Sequence, residues 1–121
     1  KTMAKFDVLI LGGGVMGMST ACHLAMRGAA KNLRVAVVER DASYRQASAL
    51  LSAGGMRQQF SLEQNVKMSM YGLEFLRHMH SWPSSDNVQF QQQGYVFLAN
   101  TDSAVKVLRE NHGVQTSAGA D

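Results

Sequence analysis

From Phe6 to Leu11 the chain is largely apolar, and the run stops abruptly at Gly12-Gly13-Gly14. A short, apolar, β-branched run of this kind reads as a strand covered on both faces. From Val15 the apolar positions change to helical spacing, with Met16, Ala21, Leu24 and Ala25 free to pack on a sheet. The helix should reach Arg27, where Gly28 is placed to end it through a left-handed cap. Arg34–Glu39 returns to the strand pattern, so the two strands should be parallel neighbours joined by a right-handed crossover.

The pattern then loosens. Ser43 to Phe60 is small and polar, and Ser61 followed by Gln64 forms a capping-box signature that predicts the start of a long helix. Val66, Met70, Leu73 and Leu76 give that helix an apolar face, with Phe75 and Met79 as further members. Trp82-Pro83-Ser84-Ser85-Asp86-Asn87 breaks it and marks the best boundary in the chain, dividing an N-terminal segment 1–82 from a second segment 83–121. Val88–Gln91 alternates like a strand, Gln92-Gln93-Gly94 turns, and Tyr95–Ala99 reads as a second, apolar strand, which together predict a hairpin. Asn100, Thr101 and Asp102 offer N-caps for a short helix running through Val105 and Leu108 toward Asn111, with Gly113 to end it. Val114–Thr116 reads as the beginning of another strand, and Ser117 to Asp121 as a disordered or truncated end.

The glycines carry the first chemistry. A strand that turns through glycines into a helix presents free N–H groups and the positive end of the helix dipole to an anion. Gly12 suits a tight turn, Gly14 leaves nothing between main chain and phosphate, and Gly17 allows the helix to pack closely on the strand. This G-x-G-x-x-G spacing is weak evidence alone. It gains weight from Glu39, which ends the second strand about twenty residues past the last loop glycine, where an acid accepts hydrogen bonds from a ribose hydroxyl. A solvated surface glutamate is the alternative. The carboxylate also disfavours a 2′-phosphate, although Arg40 softens that inference.

Charge and composition exclude more than they specify. The 12 Lys and Arg outnumber the 9 Asp and Glu only slightly and are scattered, so no nucleic-acid stripe is present. No run is long enough to span a membrane. Cys22 is the sole cysteine, which rules out an internal disulfide, and it reads as a small packing residue rather than a reactive thiol. His78 and His80 point to different sides of a helix, and no metal site is expected. With 121 residues the chain is at most one ordinary domain. Its opening Lys1-Thr2, without a leader, leaves open a removed targeting segment or absent ends.

With these pieces in place, the chain resembles the flavin-dependent oxidoreductases of the D-amino-acid oxidase and sarcosine oxidase family. The first strand and glycine loop look like that family's FAD fingerprint, with Ala21 and Gly28 at its further small-residue positions. Ser52-Ala53-Gly54-Gly55-Met56-Arg57-Gln58-Gln59-Phe60-Ser61 is similar to the loop that passes beside the flavin, and Gly94–Ala99 resembles the strand that opens the substrate domain. The resemblance implies an α/β fold, a Rossmann-like FAD-binding βαβ unit plus the start of an α+β substrate domain, incomplete because members are about three times as long.

It further implies FAD as cofactor, with Gly12, Gly14, Val15, Met16 and Gly17 at the pyrophosphate, Glu39 and Arg40 near the adenosine ribose, and Ser52, Ala53, Gly54, Gly55 and Arg57 along the ribityl chain and ring. Arg57 is the one candidate for tuning the ring electrostatically, against an ordinary surface or phosphate contact. The implied reaction is oxidation of a C–N bond in an amino acid or secondary amine, by an enzyme of which this 121-residue piece alone would be inactive. Catalytic residues are not identified. A second reading is a flavin-fold subunit or assembly factor, in which another polypeptide completes the fold or a respiratory complex is the partner. A mitochondrial matrix location is implied by resemblance, a cytoplasmic one otherwise. An NAD-binding domain is a third reading, but it leaves the Ser52–Phe60 run unexplained.

Overall fold

The structure is a computed structural model that describes residues 4–28, 32–79 and 89–120. Its chain packs as two units, Lys1–Gly55 and Met56–Asp121.

In the first unit β1 (Val8–Leu11) leads through the glycine bend into α1 (Val15–Gly28), and β2 (Val35–Val38) follows. The strands are parallel, with Val8 opposite Val35 and Leu11 opposite Val38. The regular strands are shorter than the apolar runs, but backbone hydrogen bonds from Asp7 N to Arg34 O (2.9 Å) and Gly12 N to Val38 O (2.8 Å) extend the pairing at each end. At the end remote from the glycines, the Asp7 carboxylate accepts from the Arg34 backbone N–H at 2.9 Å and from its guanidinium at 3.1 and 3.3 Å. That clip fixes the register of an otherwise uniform apolar pair, which a slip by one residue would turn inside out.

α1 lies against both strands. Ile10 faces the helix, because its Cγ2 sits 3.3 Å from where a Cβ on Gly17 would be. Alternation then sends Leu9 and Leu11 to the opposite face, where they are 57% and 79% exposed. The expectation of a strand covered on both faces is met on one face only among the described residues.

In the second unit α2 (Glu63–His78) and α3 (Asp102–Ser117) pack together, and Val66 is fully buried. The capping box expected at Ser61 is not formed. The N-cap is Leu62, whose carbonyl accepts from Val66 N at 3.1 Å, with no side-chain cap. Ser61 therefore stands one residue too early for its hydroxyl to serve the first turn. Glu63 complements the helix dipole and pairs with Lys67 instead.

Nor is the hairpin found among the described residues. The described part, residues 89–100, forms no ladder, although Gly94 takes a left-handed φ of 74° as a turn would need. Alternation marks which residues share a face, but a strand exists only where a neighbour answers its N–H and C=O groups. Here the carbonyl of Tyr95 accepts from the Gln59 side chain at 3.1 Å instead.

α3 starts as expected at Thr101, whose side chain accepts from Ala104 N. It then runs straight through Gly113 and absorbs Val114–Thr116, so the end at Gly113 and the strand after it are both corrected. The partly buried positions Ala104, Val105, Leu108, Asn111, Val114, Gln115 and Ala118 keep helical spacing across Gly113, and packing outweighs the roughly 1 kcal/mol that glycine costs there. Ala118 is the C-cap, and Gly119 after it takes φ 90°: Gly119 N bonds Thr116 O and Ala120 N bonds Gln115 O, both at 3.0 Å. This is a Schellman closure. Ala120 is buried behind it, so of the two expectations for this end the disordered one is corrected as far as that residue. The 82/83 boundary and His80 lie outside the described residues, as does Val88.

Candidate dinucleotide-binding site

The C-terminal ends of β1 and β2 and the start of α1 border a cleft of about 850 Å³. Topology puts it there, since open parallel sheets leave a crevice beyond the strand ends where the following loops diverge.

Each of the three patterned glycines has a separate mechanical reason. Gly12 adopts φ 101°, which turns the chain sharply after β1. A Cβ on Gly12 or Gly14 would meet nothing within 4 Å, so the main chain there lies open to the cleft. A Cβ on Gly17 would fall 1.8 Å from the Gly12 carbonyl oxygen, so α1 sits on the bend as closely as backbone allows. Gly14 caps the helix: its carbonyl accepts the first intrahelical bond, from Met18 N at 2.9 Å. The N–H groups of Val15, Met16 and Gly17 precede that bond and have no carbonyl of their own helix to reach.

Gly13, which the spacing argument passes over, is buried. Its N–H donates to Glu39 Oε2 at 2.6 Å, while the other carboxylate oxygen accepts from Asp41 N at 3.0 Å. The Asp41 and Gly13 amides, with smaller help from Arg40 and against some desolvation, hold the Glu39 carboxyl below the usual glutamate range. Glu39 thus faces the bend and fastens it, and a carboxylate has lone pairs left for a sugar hydroxyl after accepting two bonds.

Of the residues singled out from sequence, Gly12, Gly14, Val15, Met16, Gly17, Glu39 and Arg40 line this one cleft. Ser52, Ala53, Gly54 and Gly55 do not border it. They form an exposed turn in which Gly54, at φ 67°, donates its N–H to the Ser52 hydroxyl at 2.9 Å. Arg57 belongs to the second unit, where its guanidinium lies over the rings of Phe60 (4.7 Å) and Phe97 (5.9 Å). Such stacking holds a cation in place without neutralising it.

Sequence reasoning missed one stretch of the lining, built from Asp41, Tyr44 and the residues 46–49. Three successive turns make it, closed by Tyr44 N to Asp41 O (3.0 Å), Ala47 N to Tyr44 O (2.8 Å) and Leu50 N to Ala47 O (3.0 Å). Asp41 starts them by accepting from the Ser43 N–H and hydroxyl at 2.9 and 2.6 Å. That Asp-x-Ser pattern directly after a strand was the available signal.

Among the described residues there is no group of three His, Cys, Asp or Glu able to hold a metal, and no helix long and apolar enough to cross a membrane.

The cleft's open main chain, unpaired helix N–H groups and strand-tip carboxylate fit the adenosine diphosphate part of a dinucleotide. Comparison with known proteins names the dinucleotide. The family model described as FAD dependent oxidoreductase matches residues 7–121. The chain is 45% identical over 125 residues to FAD-dependent oxidoreductase domain-containing protein 1 of Xenopus laevis, covering 96% of this chain and 24% of that protein. The Bos taurus protein of the same name is 44% identical over 126 residues, with 96% and 25% covered. The Drosophila melanogaster homolog is 38% identical over 115 residues, with 94% and 22% covered. The chain therefore spans about a quarter of the length of these relatives. No solved structure matches it. With nearly all of its length matched, the chain belongs to the FAD dependent oxidoreductase family, whose cofactor is FAD.

Proposed function

We propose that this chain supplies the adenosine-diphosphate-binding part of an oxidoreductase that removes hydride from the C–N carbon of an amino acid or secondary amine. The observation that carries the binding half of this reading is the division of labour among Gly12, Gly14 and Gly17: one turns, one is left bare, and one closes the contact between helix and bend. FAD, when bound, supplies the two-electron acceptor chemistry.

The chain's own part is to bind and orient. The N–H groups of Val15, Met16 and Gly17 donate to diphosphate oxygens, and the dipole of α1 favours their charge. Glu39 accepts from the adenosine ribose while holding Gly13, so the bend has its shape before the ligand arrives. The C–N substrate class rests on family resemblance, and the test is direct. The full-length protein is purified, its FAD content measured, and bleaching of the bound flavin followed with sarcosine, dimethylglycine and amino acids under anaerobic conditions. Bleaching by one of these compounds supports the reading. Bound FAD that none of them reduces removes the substrate class and leaves the binding assignment.

A second reading starts from the bare face of β1 at Leu9 and Leu11 and from Val96 and Leu98, which are 85% and 91% exposed in a chain about a quarter as long as its relatives. Apolar surface of that kind is normally covered. In this reading another polypeptide, such as a respiratory-chain assembly in the mitochondrial matrix, takes that role and the flavin is structural. Co-purification of stoichiometric partner subunits with a redox-silent flavin is its signature.

A further inference from the structure

Among the described residues of the cleft, Tyr44 is the bulky one held in the left-handed region, with φ 55°. That conformation is a real outlier for an aromatic side chain, and it is what glycine or asparagine would take without penalty. Residues kept in such conformations concentrate where the side chain itself is needed.

The surroundings show what the side chain is doing. A Cβ on Gly13 would lie 2.9 Å from the Tyr44 hydroxyl oxygen and 3.4 Å from Glu39 Oε2, so phenol and carboxylate flank one point on the glycine bend. The carboxylate is engaged with the Gly13 and Asp41 amides. The phenol, by contrast, makes no hydrogen bond to another described residue, although Tyr44 is half-buried. Tyr44 borders the cleft, and a phenol without a protein partner keeps its donor for a ligand.

We infer that Tyr44 is a cofactor-contacting residue, whose hydroxyl donates to the adenosine ribose from beside Glu39 so that the sugar is held by an acceptor and a donor together. This rests on the binding reading above and adds a residue to it. The carboxylate can only accept, from a ribose O–H. The phenol can give a proton to a ribose oxygen, so the two groups satisfy different halves of the same diol.

The test uses the full-length protein with ADP and FAD as probes and thermal melting of the cofactor-free form as control. Tyr44→Phe keeps the ring and removes one neutral hydrogen bond, so ADP and FAD affinity should both fall about three- to tenfold while the cofactor-free melting point stays put. Tyr44→Gly relieves the backbone, so the cofactor-free protein should melt no lower than the parent while ADP binding weakens further. A Tyr44→Phe protein that binds ADP and FAD as the parent does overturns the inference and leaves the binding reading intact. A Tyr44→Gly protein that melts lower yet binds ADP normally overturns it too, as the mark of a purely structural tyrosine. A parent that binds neither ADP nor FAD overturns both.

Discussion

Gly14→Ser separates what the glycine bend does for a ligand from what it does for the fold. Gly14 is the N-cap of α1, lies outside the left-handed region, and has nothing within 4 Å of a built Cβ. Serine is at least as good an N-cap as glycine, by a few tenths of a kcal/mol, so the cofactor-free protein should melt at or slightly above the parent temperature. Its hydroxyl would, however, accept from the Met16 or Gly17 N–H and stand in the space a phosphate needs. Each hydrogen bond to a charged oxygen is worth about 1.5–3 kcal/mol, so losing two costs roughly 3–6 kcal/mol, or about 10²–10⁴-fold in FAD affinity. The assay is flavin content after dialysis, followed by titration with FAD and with ADP, beside a thermal melt. A Gly14→Ser protein that keeps stoichiometric FAD at parental affinity would refute the reasoning, and so would retention by the bulkier Gly14→Val.

Other substitutions should behave differently. Gly17→Ala gains about 1 kcal/mol of helix propensity but puts a methyl 1.8 Å from the Gly12 carbonyl, and the overlap should exceed that gain by about 1–2 kcal/mol, read as a lower melting point even without ligand. Gly119→Ala should cost about 1–2 kcal/mol by forcing alanine to φ 90° at the end of α3, and should leave FAD affinity unchanged. Since folding lowers the Glu39 pKa, its contribution is full above the pKa of the unfolded side chain and is lost as pH falls through the folded value. Stability and FAD binding should therefore weaken below the ordinary glutamate range, and in Glu39→Gln this acid limb should flatten in a pH series of melts. The 121-residue chain alone should aggregate through Leu9, Leu11, Val96 and Leu98. A monodisperse monomer with a cooperative melt would contradict that.

The βαβ start was legible because its causes are local: an apolar run, glycines at fixed offsets and a second run of the same length dictate strand, bend, helix and strand with few alternatives. Gly12 and Gly17 took the conformational and packing roles their positions imply. What depended on distant partners was not legible. Tyr95–Ala99 is an apolar run with the composition of a strand, yet pairing needs an answering backbone that composition does not encode. Gly113 has the composition of a stop and the environment of a helix interior, and only the apolar stripe beyond it reveals which prevails. This part of the cleft lining escaped because the turn from Asp41 to Tyr44 brings the tyrosine back to Gly13, a proximity between residues 31 apart in sequence that no periodicity announces.

Changing the acid at the tip of a second strand is the usual lever for redirecting a nucleotide fold toward another sugar. Here that lever is tied to the hinge it is meant to spare. Since Glu39 latches Gly13, any replacement chosen for a new ligand also unlatches the bend, and a redesign would need a substitute fastening before altered preference could be interpreted at all.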